Sequence, residues 1–122
     1  MSKAASGGAV VVIGVGAQRG TGAALARRFA REGFHVFVAG RTLEKIEAVA
    51  ETLRSEGVKA TAMVADTTRS EDVTALLDRA IAETGSLEAV LYNAGNNQFS
   101  PLLEMDDAFF ENLWRVCCFG GF

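Results

Sequence analysis

The sequence predicts a doubly wound α/β fold, in which helices cover both faces of a parallel sheet. Short apolar segments rich in β-branched residues alternate along the chain with amphipathic helical patterns. The crossover between successive apolar segments is about a dozen residues or longer, which is typical of parallel strands joined by right-handed connections. We therefore expect one domain over residues 9–122, preceded by a short flexible leader at residues 1–8.

Each predicted element follows from the positions of apolar residues, glycines and capping residues. The first strand is apolar throughout, which indicates a strand buried on both faces. Gly33, Gly57 and Gly85 are expected to end the first three helices, and Thr42 and Ser70 to be the N-caps of the second and third. The predicted strands are residues 10–13, 34–39, 60–65 and 87–92, and the predicted helices begin near residues 20, 43, 70 and 106 or 107.

Charge and composition exclude several classes of partner. The net charge is −3 and no block of like charge occurs, so we expect neither a nucleic-acid nor a membrane-surface partner. The apolar runs are too short to span a bilayer. The two cysteines, Cys117 and Cys118, are neighbours that do not join distant segments, which favours a reducing cytoplasm. The single histidine, His35, lies in a strand pattern, so no metal site is expected.

A glycine-rich turn follows the first strand, with the spacing Gly-x-x-x-Gly-x-Gly at Gly16, Gly20 and Gly22. A strand, such a turn and then a helix place free backbone N–H groups and the positive end of the helix against a phosphate. We expect Gly16 and Gly20 to adopt backbone angles closed to other residues, and Gly22 to permit close approach of a pyrophosphate or a neighbouring strand. Many glycine-rich turns bind nothing, so the interpretation depends on its context.

The carboxyl ends of all four predicted strands are polar or glycine-rich, at residues 14–22, 40–41, 66–67 and 93–95. In a doubly wound sheet, ligands bind beyond these ends. The agreement of the four ends predicts a nucleotide site at this edge of the sheet.

The residues after the second strand indicate which dinucleotide is preferred. Folds that prefer NAD usually place an acidic residue there to bind the ribose 2′-hydroxyl, whereas this chain has Gly40 and Arg41. Arg41 is predicted to bind the 2′-phosphate of NADP(H), with Arg19 approaching it from the other side. One or two such contacts, each contributing about 1.5–3 kcal/mol, favour NADP over NAD by roughly ten- to a thousandfold. The alternative is that both arginines are solvated surface residues.

Asp66, at the end of the third strand, also has two interpretations. Its carboxylate either accepts a hydrogen bond from the adenine amino group or is the N-terminal cap of the next helix.

In this order the motifs resemble the N-terminal, cofactor-binding portion of the short-chain dehydrogenase/reductase family. That family combines a Thr-Gly-x-x-x-Gly-x-Gly turn, a charged signal after the second strand, an Asp after the third and Asn-Ala-Gly after the fourth. The resemblance implies a Rossmann-type NAD(P)-binding domain of an oxidoreductase that transfers hydride between NADP(H) and a carbonyl or alcohol. It implies the cofactor-binding residues Gly16, Arg19, Gly20, Thr21, Gly22, Arg41, Asp66, Thr67, Asn93, Ala94 and Gly95.

The resemblance also assigns a part of the cofactor to each group. The glycine turn holds the pyrophosphate, Asp66 and Thr67 face the adenine, and residues 93–95 support the end of the fourth strand beside the nicotinamide ribose.

The chain departs from the family pattern at several places. Val15 replaces the threonine of the glycine turn, and Cys117 occupies the position of a catalytic asparagine, which puts the proton relay in doubt. The family's catalytic serine and Tyr-x-x-x-Lys pair are absent, because the only tyrosine, Tyr92, is followed four places later by Asn96. We therefore expect a chain truncated before the catalytic segment, inactive by itself and carrying no catalytic residue.

Truncation would leave the fourth strand as an open apolar edge, with Phe110 and Trp114 uncovered on the last helix. In the complete enzyme we expect a small-molecule substrate and a homo-oligomer. One alternative is a non-catalytic protein that senses NADP or joins an assembly through the Phe110 and Trp114 surface. Another is a Rossmann domain that binds a different nucleotide-bearing molecule.

Overall fold

The protein folds around a four-stranded parallel sheet. The structure, a computed structural model, describes residues 8–95 and 98–122, so the predicted leader up to residue 7 and Asn96 and Asn97 lie outside it. The strand order is β3-β2-β1-β4, and every pair is parallel, which confirms the predicted doubly wound sheet. The strands are β1 (Ala9–Ile13), β2 (His35–Gly40), β3 (Ala60–Val64) and β4 (Leu87–Tyr92).

Four α-helices connect and flank the strands within the described residues. They are α1 (Thr21–Arg31), α2 (Leu43–Ser55), α3 (Ser70–Thr84) and α4 (Asp107–Trp114), with a 3-10 turn at Leu102–Glu104 and a π-helical segment at Arg115–Phe119. The chain passes outward from β1 to β3, and α3 then returns it to place β4 on the other side of β1. The strand order therefore reverses beside β1, which is where doubly wound sheets open a crevice.

Alternate residues of the central strands pack in two layers. Val10 and Val12 of β1 belong to the core beneath α1 and α2, which also contains Ile46 and Leu53. The intervening residues of β1 and β2, including Phe37, pack against α3 on the other face. Because both faces of β1 are covered, all five of its residues are buried, as its uniformly apolar sequence predicts.

The helix ends agree with the sequence in part. Gly33, Gly57 and Gly85 have φ values of +102°, +88° and +90°, as expected where glycine ends a helix. Thr42 is the N-cap residue of α2, but its side chain makes no capping hydrogen bond. The prediction that Ser70 caps α3 is wrong, because Ser70 is the first helical residue and Arg69 precedes it as N-cap.

The edge strand and the last helix leave apolar side chains in solvent. β4 lies at the edge of the sheet, and Val90 is 44% exposed. Phe110 and Trp114 of α4 are 61% and 41% exposed, so the prediction that they lack cover within this chain is confirmed. Throughout residues 8–95 and 98–122, no helix is both long enough and apolar enough to cross a membrane.

Candidate functional site

A cavity of about 300 Å³ opens at the carboxyl ends of the strands, and residues from all four strand ends line it. Arg19 is exposed and, like the residues at the start of α1, is not among the lining residues. The predicted site residues that the structure brings together here are Gly16, Arg41, Asp66, Thr67, Asn93, Ala94 and Gly95. Those that it leaves outside the cavity wall are Arg19, Gly20, Thr21 and Gly22.

The turn after β1 is fixed by contact with the end of β4. The Asn93 backbone N–H donates to the Ile13 carbonyl at 2.7 Å, and its side-chain Nδ2 donates to the Gly14 carbonyl at 3.1 Å. Gly14 has φ +98°, and a Cβ built there would overlap the backbone nitrogen of Ala94. The side chain of Asn93 is therefore used to hold two strand ends together at the floor of the cavity.

The glycine of this turn that needs a positive φ is not one of those predicted to need it. Neither Gly16 nor Gly20 has a positive φ, so the expectation that they adopt angles closed to other residues is wrong. That demand falls on Gly14, which the motif spacing does not single out. A Cβ at Gly22 would overlap the Gly14 carbonyl oxygen, which agrees with the close backbone approach expected there.

Gly16 is a glycine that the fold itself does not require. No atom lies within 4 Å of the position where its Cβ would be, and the residue lines the cavity. A side chain at this position would therefore enter the space that a ligand would fill.

Gln18 ties the glycine-rich turn to α2, and sequence patterns give no signal for this contact. Its side-chain Nε2 donates to the Ala48 carbonyl at 3.0 Å and lies 2.8 Å from Thr52 Oγ1. The Gln18 carbonyl accepts a hydrogen bond from Arg27 Nη1 at 3.0 Å. The glycine-rich turn is thus hydrogen-bonded to both α1 and α2. Residues at the start of α2 also line the cavity.

The start of α2 brings two cations to the cavity. Arg41 and Lys45 both line it, together with Thr42. Lys45 is exposed to solvent and also lines the cavity. Among the ion pairs of the described residues, none involves Arg41 or Lys45. Both positive charges are therefore open to an anion.

Asp66 follows β3, beside the end of β2 that leads to Arg41, and its carboxylate is locally held. Oδ1 accepts hydrogen bonds from the backbone N–H of Thr68 at 2.9 Å and from Thr68 Oγ1 at 2.7 Å. The Thr68 side chain and then its backbone N–H lower the pKa of Asp66, and Arg41 lowers it further. Since α3 begins only at Ser70, the alternative that Asp66 caps this helix is wrong.

We expect Asp66→Asn to lower the free energy of unfolding at pH 7 by at most about 1 kcal/mol, because the carboxylate is only partly buried and solvent screens its charge. A lowered folded-state pKa stabilises the fold above the unfolded-state pKa, and this contribution is lost as the pH falls through the folded-state value. The difference between parent and variant should therefore shrink as the pH falls below about 4. Urea denaturation at pH 7, 4 and 3 measures it, and a difference independent of pH would contradict the prediction.

Tyr92 connects the cavity wall to the π-helical segment. Its hydroxyl lies 3.2 Å from Thr67 Oγ1 and hydrogen-bonds to the Val116 carbonyl. A Cβ at Gly120 would overlap this hydroxyl. Cys117 is exposed and lies beside Val116, which lines the cavity, but Cys117 itself is not a lining residue. Tyr92 is thus a structural residue that joins Thr67 and Val116, two residues of the cavity wall.

Across the described residues, no group of three or more His, Cys, Asp or Glu side chains is placed to hold a metal ion. His35 lies in β2, where its Nε2 is 2.8 Å from Thr61 Oγ1 and its ring stacks on Phe37.

Several known proteins resemble this chain in sequence. A family model described as short chain dehydrogenase matches residues 9–122. A cis-4-hydroxycyclohexanecarboxylate dehydrogenase of Sinomonas cyclohexanicum is 42% identical over 106 residues, covering 86% of this chain and 41% of that protein. An A-factor type gamma-butyrolactone 1′-reductase of Streptomyces virginiae is 36% identical over 102 residues, covering 80% of this chain and 38% of that protein. The chain thus spans about two fifths of the length of these curated relatives.

Solved structures agree with the sequence relatives. A short-chain dehydrogenase from Rhodopseudomonas palustris superposes with a TM-score of 0.86 at 34% identity, covering 93% of this chain and 52% of that one. L-sorbose reductase from Gluconobacter frateurii, complexed with NADPH and L-sorbose, has a TM-score of 0.86 at 25% identity, covering 95% of this chain and 44% of that one. With the family model matching nearly the whole sequence, the chain belongs to the short-chain dehydrogenase/reductase family.

Proposed function

We propose that this chain is the NADP(H)-binding part of an oxidoreductase that transfers hydride between a nicotinamide cofactor and a carbonyl or alcohol substrate. The observation that carries the proposal is the convergence of Gly16, Arg41, Asp66 and residues 93–95 on one cavity at the strand ends. The likeness to a reductase complexed with NADPH supports a phosphorylated cofactor.

The residues present fit such a cofactor. The space beside Gly16 is open, because no atom beyond its chain neighbours lies within 4 Å of a Cβ built there, and in this proposal the pyrophosphate occupies that space. The first backbone N–H groups of α1 add positive potential beyond it, because Gly20 is the N-cap of α1 and provides no side-chain cap. In this proposal Thr21 and Gly22 belong to that helix start, and Arg19 lies outside the cavity wall.

The remaining contacts divide the cofactor between the two sides of the cavity. Arg41 holds the 2′-phosphate, Asp66 and Thr67 face the adenine, and residues 93–95 support the nicotinamide ribose. When bound, the nicotinamide gives or takes the hydride. The residues of this chain bind and orient the cofactor.

The chain by itself is proposed to bind without turnover. Its sequence contains no Tyr-x-x-x-Lys pair, and Cys117 occupies the family's asparagine position. We also propose a cytoplasmic location and a homo-oligomer that covers Phe110 and Trp114, which are exposed on α4. A carbonyl or alcohol remains the proposed substrate class.

The replacement at Cys117 favours one second candidate, a non-catalytic protein that senses NADP or joins an assembly. Sequencing the gene beyond the codon for Phe122 separates the two. A downstream serine with Tyr-x-x-x-Lys supports the enzyme, whereas a stop codon directly after Phe122 supports the sensor.

Replacing Gly16 by alanine tests whether the cofactor occupies the cavity. We expect Gly16→Ala to raise the Kd for NADPH at least about tenfold, or 1.4 kcal/mol, because the methyl group fills ligand space. Its free energy of unfolding should stay within about 0.5 kcal/mol of the parent. Calorimetric titration and urea denaturation measure the two quantities.

Gly57→Ala is the matched control for this experiment. Gly57 has φ +88°, far from the cavity wall, so its variant should lose stability while it binds NADPH as the parent does. Unchanged NADPH affinity in Gly16→Ala would overturn the placement of the cofactor.

A further inference from the structure

Lys45, in the first turn of α2, is a second cation beside the cavity, and the proposed function gives it no ligand group. Lys45 lies four residues after Arg41, and both side chains line the same cavity with Thr42 between them. Arg41 precedes the N-cap of α2, and Lys45 lies in the first turn of the helix. The two cations therefore face the same ligand space.

Glu44 lies in the first turn of α2 beside Lys45, but among the described residues no ion pair joins an acid of α2 to Arg41 or Lys45. Glu47 and Glu51 pair with Arg54 towards the other end of the helix. Among the residues that line the cavity, the charged side chains are Arg41, Lys45 and Asp66. The wall thus has one more positive than negative charge, and the carboxylate of Asp66 already accepts two bonds from Thr68.

Lys45 is also placed against the preference of its own helix. Cations are disfavoured near a helix N-terminus, where the dipole is positive. The Thr42 carbonyl accepts from the backbone N–H groups of Lys45 and Ile46, whereas the Thr42 side chain caps nothing. The start of α2 therefore brings together the Lys45 ammonium, the positive end of the helix and the Thr42 hydroxyl, which makes no capping hydrogen bond. An anion bound between these groups would stabilise the arrangement.

We propose that Lys45 is a specificity-determining residue that binds the 2′-phosphate of the cofactor together with Arg41. This inference rests on the proposed NADP(H) function. The planar guanidinium of Arg41 fixes the orientation of the phosphate, and the Lys45 ammonium adds a mobile point charge. The Thr42 hydroxyl donates to a third phosphate oxygen.

The test compares Lys45→Met, which keeps the apolar stem and removes the charge, with Lys59→Met. Lys59 is also exposed, but it lines a separate cavity at the amino ends of the strands. Calorimetry measures the binding of NADPH, NADH and 2′,5′-ADP to the full chain, so the readout does not depend on turnover. We expect Lys45→Met to raise the Kd for NADPH and for 2′,5′-ADP about three- to tenfold, and Lys59→Met to leave both unchanged.

NADH and salt provide the internal controls. The Kd for NADH should not change in Lys45→Met, the salt dependence of NADPH binding should weaken, and Lys45→Arg should restore most of the affinity. Equal losses for NADPH and NADH, or no loss for either, would overturn the inference. If Arg41→Ala removes the preference for NADPH while Lys45→Met does not, the inference alone fails. If the parent chain shows no preference for NADPH, the proposed cofactor itself is wrong.

Discussion

Gly14→Ala is expected to lower the free energy of unfolding by about 2–5 kcal/mol, the largest effect that we expect from adding one methyl group to this chain. Gly14 has φ +98°, which costs an L-residue about 1–2 kcal/mol. The added Cβ would also overlap backbone atoms of Asn93 and Ala94, and such overpacking costs about 1–3 kcal/mol more. Urea denaturation followed by circular dichroism measures the loss.

Variants at two other glycines separate the cost of backbone strain from the cost of atomic overlap. Gly57 has φ +88° and open space around its Cβ position, so Gly57→Ala isolates the backbone strain. Gly16 has neither a positive φ nor a close neighbour, so Gly16→Ala should change stability little. A Gly14→Ala variant no less stable than Gly57→Ala would show that β1 and β4 do not approach each other as described.

Arg41→Ala is expected to raise the Kd for NADPH by about 10- to 150-fold, corresponding to a charge-assisted contact of 1.5–3 kcal/mol. The Kd for NADH should change little, because NADH has no 2′-phosphate. Arg41 is exposed, so the effect should decrease as the salt concentration rises. Titrations of both cofactors at two ionic strengths measure it.

Arg19→Ala is the matched variant for Arg41→Ala. Arg19 also follows a strand end, but it does not line the cavity, so its replacement should affect NADPH binding less. A larger effect at Arg19 than at Arg41 would place the phosphate on the other side of the turn. Equal binding of NADPH and NADH in the parent chain would refute the role of both arginines.

The sequence predicted the architecture well because that architecture follows from local patterns. The apolar run at β1 and the glycines after the first three helices are local signals, and so is the cap of α4. There, Asp106 Oδ1 accepts from the Phe109 backbone N–H at 2.9 Å, at the residue near which the helix was predicted to begin. The prediction that the four polar strand ends form one site then followed from the rule that the carboxyl ends of parallel strands lie at the same edge of the sheet.

The details of the site depended on contacts between distant segments. A spacing of glycines does not state which one needs a positive φ, and here the approach of Ala94 imposes it on Gly14. Gln18 bonds to Thr52, 34 residues away, and no periodicity encodes that pair. Lys45 lies among charged neighbours in the sequence, and only the position of α2 beside the sheet edge brings it to the cavity.

The hydrogen bonds of Gln18 have a consequence for the binding of a dinucleotide. The glycine-rich turn after β1 is already held in place without a ligand, because Gln18 donates to the Ala48 carbonyl and accepts from Arg27. Binding then requires little ordering of the backbone there, so more of the contact energy remains as affinity.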